Sequence, residues 1–235
     1  MSSLAGGITV KLDDIKKLLP IGEDDFRILR TSKSETYYVD KTLMIKDFLD
    51  YGNKVTLITR PRRFGKTLNM TMIRDFFDIT QESRKIFAGL AIMETEYAAE
   101  INTVPVVSLS LKGCTGKTVE ELEASIAEEI FKEYKKYGQY LAGVDQKEAA
   151  YRRFFQTLKV LENEGEQKVK HIQNNLIYVQ NSLSYLLETL YTFYGARPIL
   201  LIDEYDNPII EAHQDGFGEE FTRFYSTFLT VALSN

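Results

Sequence analysis

The stretch that most constrains how this chain can fold runs from Lys54 to Phe77, KVTLITRPRRFGKTLNMTMIRDFF. Its apolar, β-branched run Val55 to Thr59 predicts a strand, and Leu68, Met72, Ile73 and Phe76 fall on one stripe of the helix that Gly65-Lys66-Thr67 opens. Strand, basic loop and helix in that order set G-K-T where loop becomes helix. Amides of Arg62 to Lys66 can curl round a phosphate there, because the first N–H groups of a helix lack intrahelical acceptors and the helix dipole favours negative charge. Lys66 would reach the β- and γ-phosphates of a nucleotide, and the Thr67 hydroxyl would ligate Mg²⁺. The expected nucleotide contacts are Arg62, Arg63, Phe64, Gly65, Lys66, Thr67 and Leu68.

One position departs from G-x-x-x-x-G-K-[ST]: Arg60 stands where the first glycine would, and Pro61 after it favours extended backbone at Arg60. Against that, Arg62 and Arg63 add cationic charge for which a buried structural turn has no use. The bland alternative is a basic surface turn, and the apolar segments on both sides argue against it. A second match, Gly116-Lys117-Thr118, follows the strand candidate Val104 to Leu111, but Glu120, Glu121 and Glu123 sit in and just beyond the first turn of the next helix. Carboxylates there would repel a phosphate, and Thr118 with Glu121 makes a capping box, so this match is read as a capped helix start.

The second informative segment is Arg197 to Asp206, RPILLIDEYD. Ile199 to Ile202 is a continuous apolar run, as a strand buried on both faces requires, and it ends in Asp203-Glu204. Two carboxylates at a strand's C-terminal end lie in the crevice where open parallel sheets bind ligands. Asp203 would hold Mg²⁺, and Glu204 would orient or deprotonate an attacking water, with Asp206 and Asn207 close by.

Composition narrows the partners. The 235 residues carry net charge -5 and 44% hydrophobic side chains, which suits a globular core and argues against a nucleic-acid binder using its whole surface. The lone cysteine, Cys114, excludes an intrachain disulfide, and His171 and His213 lack metal-ligand spacing. No membrane span or signal peptide is visible, so the expectation is a cytoplasmic protein with no membrane partner.

In chain order the reading is α/β. It places an amphipathic helix over Val10 to Leu19, then a helix from an Asp40 cap to Tyr51 with Leu43, Met44, Phe48 and Leu49 inward. Short helices follow over Gln81 to Ala99. An acidic helix runs from Thr118 to Tyr137, ending near Gly138, with a Glu-rich solvated face. Helices over Asp145 to Leu161 and Lys168 to Tyr194 come next, the second with a core stripe of Tyr178, Tyr185, Tyr191, Phe193 and Tyr194, and Phe221 to Leu233 closes the chain. The expected architecture is a P-loop NTPase with a mainly parallel central sheet flanked by helices, the Lys54 strand central, and a helical insertion between the second and third core strands. Residues 1–53 would pack as an N-terminal segment on a core of residues 54–235.

The segments IGEDDF, YYVDKT, TRPRRFGKT and LIDEYDNPI, in that order, resemble the AAA-ATPase-like family, P-loop proteins of the additional-strand class. Arg60-Pro61-Arg62-Arg63-Phe64 is how that family's loop usually reads. The resemblance implies Lys66 and Thr67 as phosphate and Mg²⁺ contacts, Asp203 as the Mg²⁺ carboxylate and Glu204 as catalytic base. It also implies a motif role for Tyr38, Asp40 and Lys41, an approach of the Phe26 region to adenine, and a C-terminal PD-(D/E)XK nuclease-like domain through which nucleic acid would be engaged. A sensor strand and that domain are expected after the Phe221 helix; Asn235 precedes both, and Glu166-x-Lys168 falls in a polar turn.

The reading is therefore an ATP-binding domain with Mg²⁺-dependent hydrolysis, ATP and Mg²⁺ as cofactors, and Lys66 and Glu204 as the catalytic pair. The rival from another class is a nucleotide-gated interaction module that holds ATP without turning it over. A third is a nucleic-acid binder using the arginine loop. The sequence leaves oligomeric state open.

Overall fold

The computed structural model describes residues 22–32, 37–59, 64–162 and 167–234. The Val10 to Leu19 helix, the loop residues Arg60 to Arg63, with the contacts expected of Arg62 and Arg63, and Glu166 lie outside the described residues.

Two parallel strands carry the architecture: β1 (Val106–Ser110) pairs with β2 (Ile199–Asp203) in the register Val106 to Ile199 through Ser110 to Asp203. Side chains alternate across this ribbon. Val107, Leu109, Leu200 and Ile202 face one cluster, built on α5 (Val119–Tyr140), α6 (Ala149–Leu161), α7 (Lys168–Asn174), α8 (Leu176–Tyr194) and α10 (Gly218–Leu233). Val106, Ile199 and Leu201 face a second cluster with α1 (Phe26–Thr31), α2 (Leu43–Tyr51), α3 (Lys66–Phe77) and α4 (Arg84–Phe87). Covering on both faces is what a parallel ribbon needs, and it explains the unbroken apolar run of β2. The connection from β1 to β2 is the helical insertion α5 to α8.

Residues 54 to 59 differ from expectation. Val55 to Thr59 is not a strand: it has no strand partner among the described residues, and Val55 and Leu57 are 57% and 62% exposed. β-branched side chains favour a pleated, half-buried surface, but without a neighbouring strand to bond that preference creates no ladder. The central sheet expected from the sequence is thus a ribbon of two strands among the described residues.

Smaller departures have local causes. Helix α5 runs past Gly138 to Tyr140, since a single glycine weakens a helix without ending it. Lys168 to Tyr194 breaks at Asn175, whose side-chain amide donates to the His171 carbonyl and competes with the helix. In α2 Met44, Phe48 and Leu49 pack on the core as expected, joined by the fully buried Ile45, while Leu43 is 47% exposed. Tyr178 and Tyr194 pack against the core as expected, but Tyr191 and Phe193 are exposed, and the fully buried stripe of α8 is Val179, Leu183, Leu186 and Leu190. On α5, Glu123 is buried and accepts from Gln173, so that helix's acidic face is not wholly solvated.

Phe26 is fully buried against Tyr38 and Phe87, the latter in turn against Phe76, as a core residue rather than an adenine contact. The YYVDKT motif acts as a clamp. Asp40 accepts from the Thr42 amide and hydroxyl on one oxygen, at 2.8 and 2.7 Å, and from the Ala91 amide on the other, at 2.8 Å. Tyr38 donates to the Met72 sulfur and lies under Arg30, whereas Lys41 is exposed. This clamp ties the segment before α2 to the 3-10 turn Ala91–Glu94 and to α3.

Partial burial would raise the Asp40 pKa, but the amides of Ala91 and Thr42, the Thr42 hydroxyl and the Arg30 charge outweigh it and hold the carboxyl below its ordinary value. A carboxyl with a depressed folded value stabilises only while ionised, and that stability is lost as pH falls through the depressed value. Asp40→Asn should therefore cost about 0.5 kcal/mol near neutral pH, since solvent screens an exposed carboxylate, with the deficit shrinking in acid. Urea melts of both proteins across the acid range check this; a deficit independent of pH would contradict it.

Candidate functional site

Helix α3 begins at Gly65, which adopts φ 74° and ψ 29°, and no side chain caps it. The left-handed backbone is glycine's reason for being there, since a Cβ would meet nothing within 4 Å. Among the described residues no side chain accepts from the amides at the start of α3, the condition that suits an anion at a helix N-terminus. Lys66, Thr67 and Leu68 occupy the first turn, and Phe64 before them is 60% exposed.

The contact that organises the site joins this turn to the end of β2. Thr67 Oγ1 donates to Asp203 Oδ2 at 2.7 Å across 136 positions of sequence. Asp203 is 8% exposed, and its other oxygen accepts from the Glu204 amide at 3.0 Å. Together they offer a hydroxyl and a carboxylate, both hard oxygen donors, side by side. Among the described residues no group of three or more His, Cys, Asp or Glu could hold a metal ion. Mg²⁺ keeps several waters and binds through one or two protein oxygens plus phosphate, so this donor pair fits it.

Beyond Asp203 the backbone turns sharply. Glu204 has φ 52°, a left-handed conformation uncommon for a non-glycine residue. Its carbonyl accepts from the Asn207 amide at 3.0 Å, and α9 (Asn207–Gln214) starts there with Pro208 in its first turn. The Asn207 side-chain amide reaches the carbonyls of Leu111, Lys112 and Cys114 at 3.3, 3.2 and 3.4 Å. Tyr225 of α10, 1% exposed, donates to the Tyr205 carbonyl at 2.6 Å. Burial pushes the Tyr225 hydroxyl pKa far up, so it remains a donor throughout the working range of pH. The sequence marked Asn207 only by its nearness to Asp203; Tyr225, twenty residues beyond Tyr205, carries no local signal at all.

Lys66, Asp203 and Glu204 line one cleft of about 1150 Å³. Its other walls include residues 54–59, Phe48 of α2, Met70 and Ile73 of α3, Leu187 and Tyr191 of α8, β2 and the end of α10. The geometry thus brings Lys66, Thr67, Asp203 and Glu204 together.

The second G-K-T is placed elsewhere and serves the fold. Thr118 Oγ1 accepts from the Glu121 amide at 3.3 Å, and Glu121 Oε2 accepts from the Lys117 amide at 2.8 Å. Gly116 is packed so tightly that a Cβ would meet the Leu122 nitrogen at 2.4 Å. Cys114 is buried and its thiol is pushed up to about 11, so it is a packing residue and no nucleophile. No described helix is long and apolar enough to cross a membrane.

Comparison with known proteins adds the family. A family profile described as "Predicted AAA-ATPase" matches residues 20–235. The chain is similar to "Uncharacterized protein in vnfD 5'region" of Azotobacter chroococcum mcd 1, 26% identical over 196 residues. That match covers 83% of this chain and 30% of the relative, so the chain spans about a third of the relative's length. No solved structure matches it significantly.

The two G-K-T glycines should respond differently to a methyl group. Gly65→Ala meets open space but a left-handed backbone, costing about 1–2 kcal/mol, and should weaken stabilisation by nucleotide. Gly116→Ala meets backbone atoms, costing about 1–3 kcal/mol or more, and should leave stabilisation by nucleotide unchanged. Denaturant melts with and without Mg·ATP separate the two; equal loss of nucleotide response would contradict the assignment.

Proposed function

The chain belongs to the AAA-ATPase-like family, and from that premise we propose that it binds Mg·ATP at the start of α3 and hydrolyses it. The observation that carries the reading is the 2.7 Å contact between Thr67 and Asp203, which sets a hydroxyl and a carboxylate beside an uncapped helix N-terminus. The order of extended segment, loop, α3 and β2 supports a P-loop core for residues 54–235, with residues 1–53 packed on it. Arg62, Arg63, Phe64, Gly65, Lys66, Thr67 and Leu68 would surround the phosphates in this reading.

Roles follow from position. Lys66 neutralises charge on the β- and γ-phosphates, and the amides at the start of α3 donate to the phosphate oxygens. Thr67 and Asp203 would hold Mg²⁺, which supplies charge neutralisation between phosphate oxygens. Glu204 accepts a hydrogen bond from the attacking water and takes its proton as the new oxygen–phosphorus bond forms and the bond to ADP breaks. A cytoplasmic setting, and a nuclease-like domain elsewhere in a longer protein through which nucleic acid is engaged, complete the proposal; the greater length of the relative is compatible with such a domain.

Calorimetry and phosphate release test the reading. Lys66→Ala should abolish measurable ATP binding. Glu204→Gln should bind as the parent does while turnover falls by about 100-fold or more, the scale of lost general-base assistance. Unchanged ATP affinity in Lys66→Ala would overturn the site; equal phosphate release in Glu204→Gln and parent would leave a nucleotide-gated module in place of an ATPase.

A further inference from the structure

The turn after Asp203 is fastened far more heavily than its length requires. A non-glycine residue at φ 52° persists only where its surroundings hold it there, and such residues cluster at functional sites. Here the surroundings can be named. The Asn207 amide closes the turn on the Glu204 carbonyl. The Asn207 side chain anchors the turn's far end to the Leu111, Lys112 and Cys114 carbonyls, in the loop that follows β1. The Tyr225 hydroxyl anchors its middle through the Tyr205 carbonyl. Glu204 itself has its amide on Asp203 Oδ1 and lines the cleft with Lys66 and Asp203.

We infer that Asn207 and Tyr225 are positioning residues for Glu204: they lock the Glu204–Asn207 turn to the β1 loop and to α10, fixing the carboxylate beside Lys66 and Asp203. This rests on the proposed role of Glu204 in hydrolysis. Neither side chain lines the cleft's Lys66 and Asp203 end as a phosphate or cation contact would, and each acts through a backbone carbonyl. Their loss frees the turn to relax from the left-handed conformation, which moves Glu204 while leaving Lys66, Thr67 and Asp203 in place. A displacement of about 1 Å in a catalytic group can cost about 100-fold in rate, so the effect falls on turnover rather than on binding.

The test uses Asn207→Ala and Tyr225→Phe, each in the parent and in the Glu204→Gln background, with Mg·ATP affinity by calorimetry and phosphate release measured side by side. Tyr225→Phe removes one hydroxyl and keeps the buried ring, so it guards against simple misfolding. In the parent background each variant should lose at least about tenfold in kcat with ATP affinity unchanged. In the Glu204→Gln background neither should lose more, because residues that act as a unit are not additive. Full additive losses, an unchanged kcat, or affinity falling in step with kcat would overturn the assignment.

If the parent itself releases no phosphate, the hydrolytic reading fails, and the lock is judged by hydrogen exchange instead. The Asn207 amide should then exchange at least about tenfold faster in both variants than in the parent. Exchange equal to the parent's would overturn the lock.

Discussion

One hydrogen bond, Thr67 to Asp203, joins the two halves of this molecule at its chemically richest point. The helix carrying Thr67 is packed into one hydrophobic cluster, and the strand ending in Asp203 contributes to both. An acidic side chain 8% exposed is costly unless its oxygens are bonded, and here each has a donor: the Thr67 hydroxyl on one, the Glu204 amide on the other. Among the described residues two neutral donors satisfy this buried carboxylate, and the cation and phosphate proposed above would add charged partners to it.

The rest of the fold holds that junction still. Helix α3 is pinned at its far side by α1, where Phe26 N–H donates to Thr71 Oγ1 and Arg74 bridges Asp25 and Asp75. Behind it, Lys136 of α5 pairs with the buried Asp78 and also donates to the Val106 carbonyl, as does Tyr137. Two side chains of α5 thus meet β1 at the Val106 carbonyl. Beyond it, Tyr134 stacks on Phe154 at 4.7 Å and donates to the Ser182 carbonyl, tying α5 to α6 and α8. Asp78, Tyr134 and Tyr137 each have a partner in these contacts, whereas Asp75 is bonded through Oδ1 alone and its buried Oδ2 has no hydrogen-bond partner among the described residues.

The sequence made legible what is local and periodic. The α3 stripe of Met72, Ile73 and Phe76 is buried as its spacing required, β2 is a strand ending in Asp203, and Thr118 caps α5. Telling the two G-K-T segments apart also needed only local charge, since the carboxylates after Thr118 found the Lys117 amide and the capping turn. What stayed hidden depends on distant partners. Val55 to Thr59 has the composition of a strand, but pairing is a property of neighbours and not of the segment. The left-handed Glu204 is fixed by Asn207 and by Tyr225, and no pattern around Glu204 could announce a tyrosine on α10. The expected approach of the Phe26 region to adenine rests on family resemblance alone, and the burial of Phe26 against Tyr38 and Phe87 puts its ring in the core.

The central claim is that Thr67 and Asp203 share one cation with a bound nucleotide. A ligand that binds only the folded state raises stability, by about 2.7 kcal/mol at a hundredfold excess over its dissociation constant. Thermal denaturation with ATP, in the presence and absence of Mg²⁺, for the parent and for Asp203→Asn therefore addresses it directly. The account predicts that Mg²⁺ enlarges the ATP-dependent rise in Tm for the parent and adds nothing for Asp203→Asn. An equal Mg²⁺-dependent rise in both proteins would contradict it.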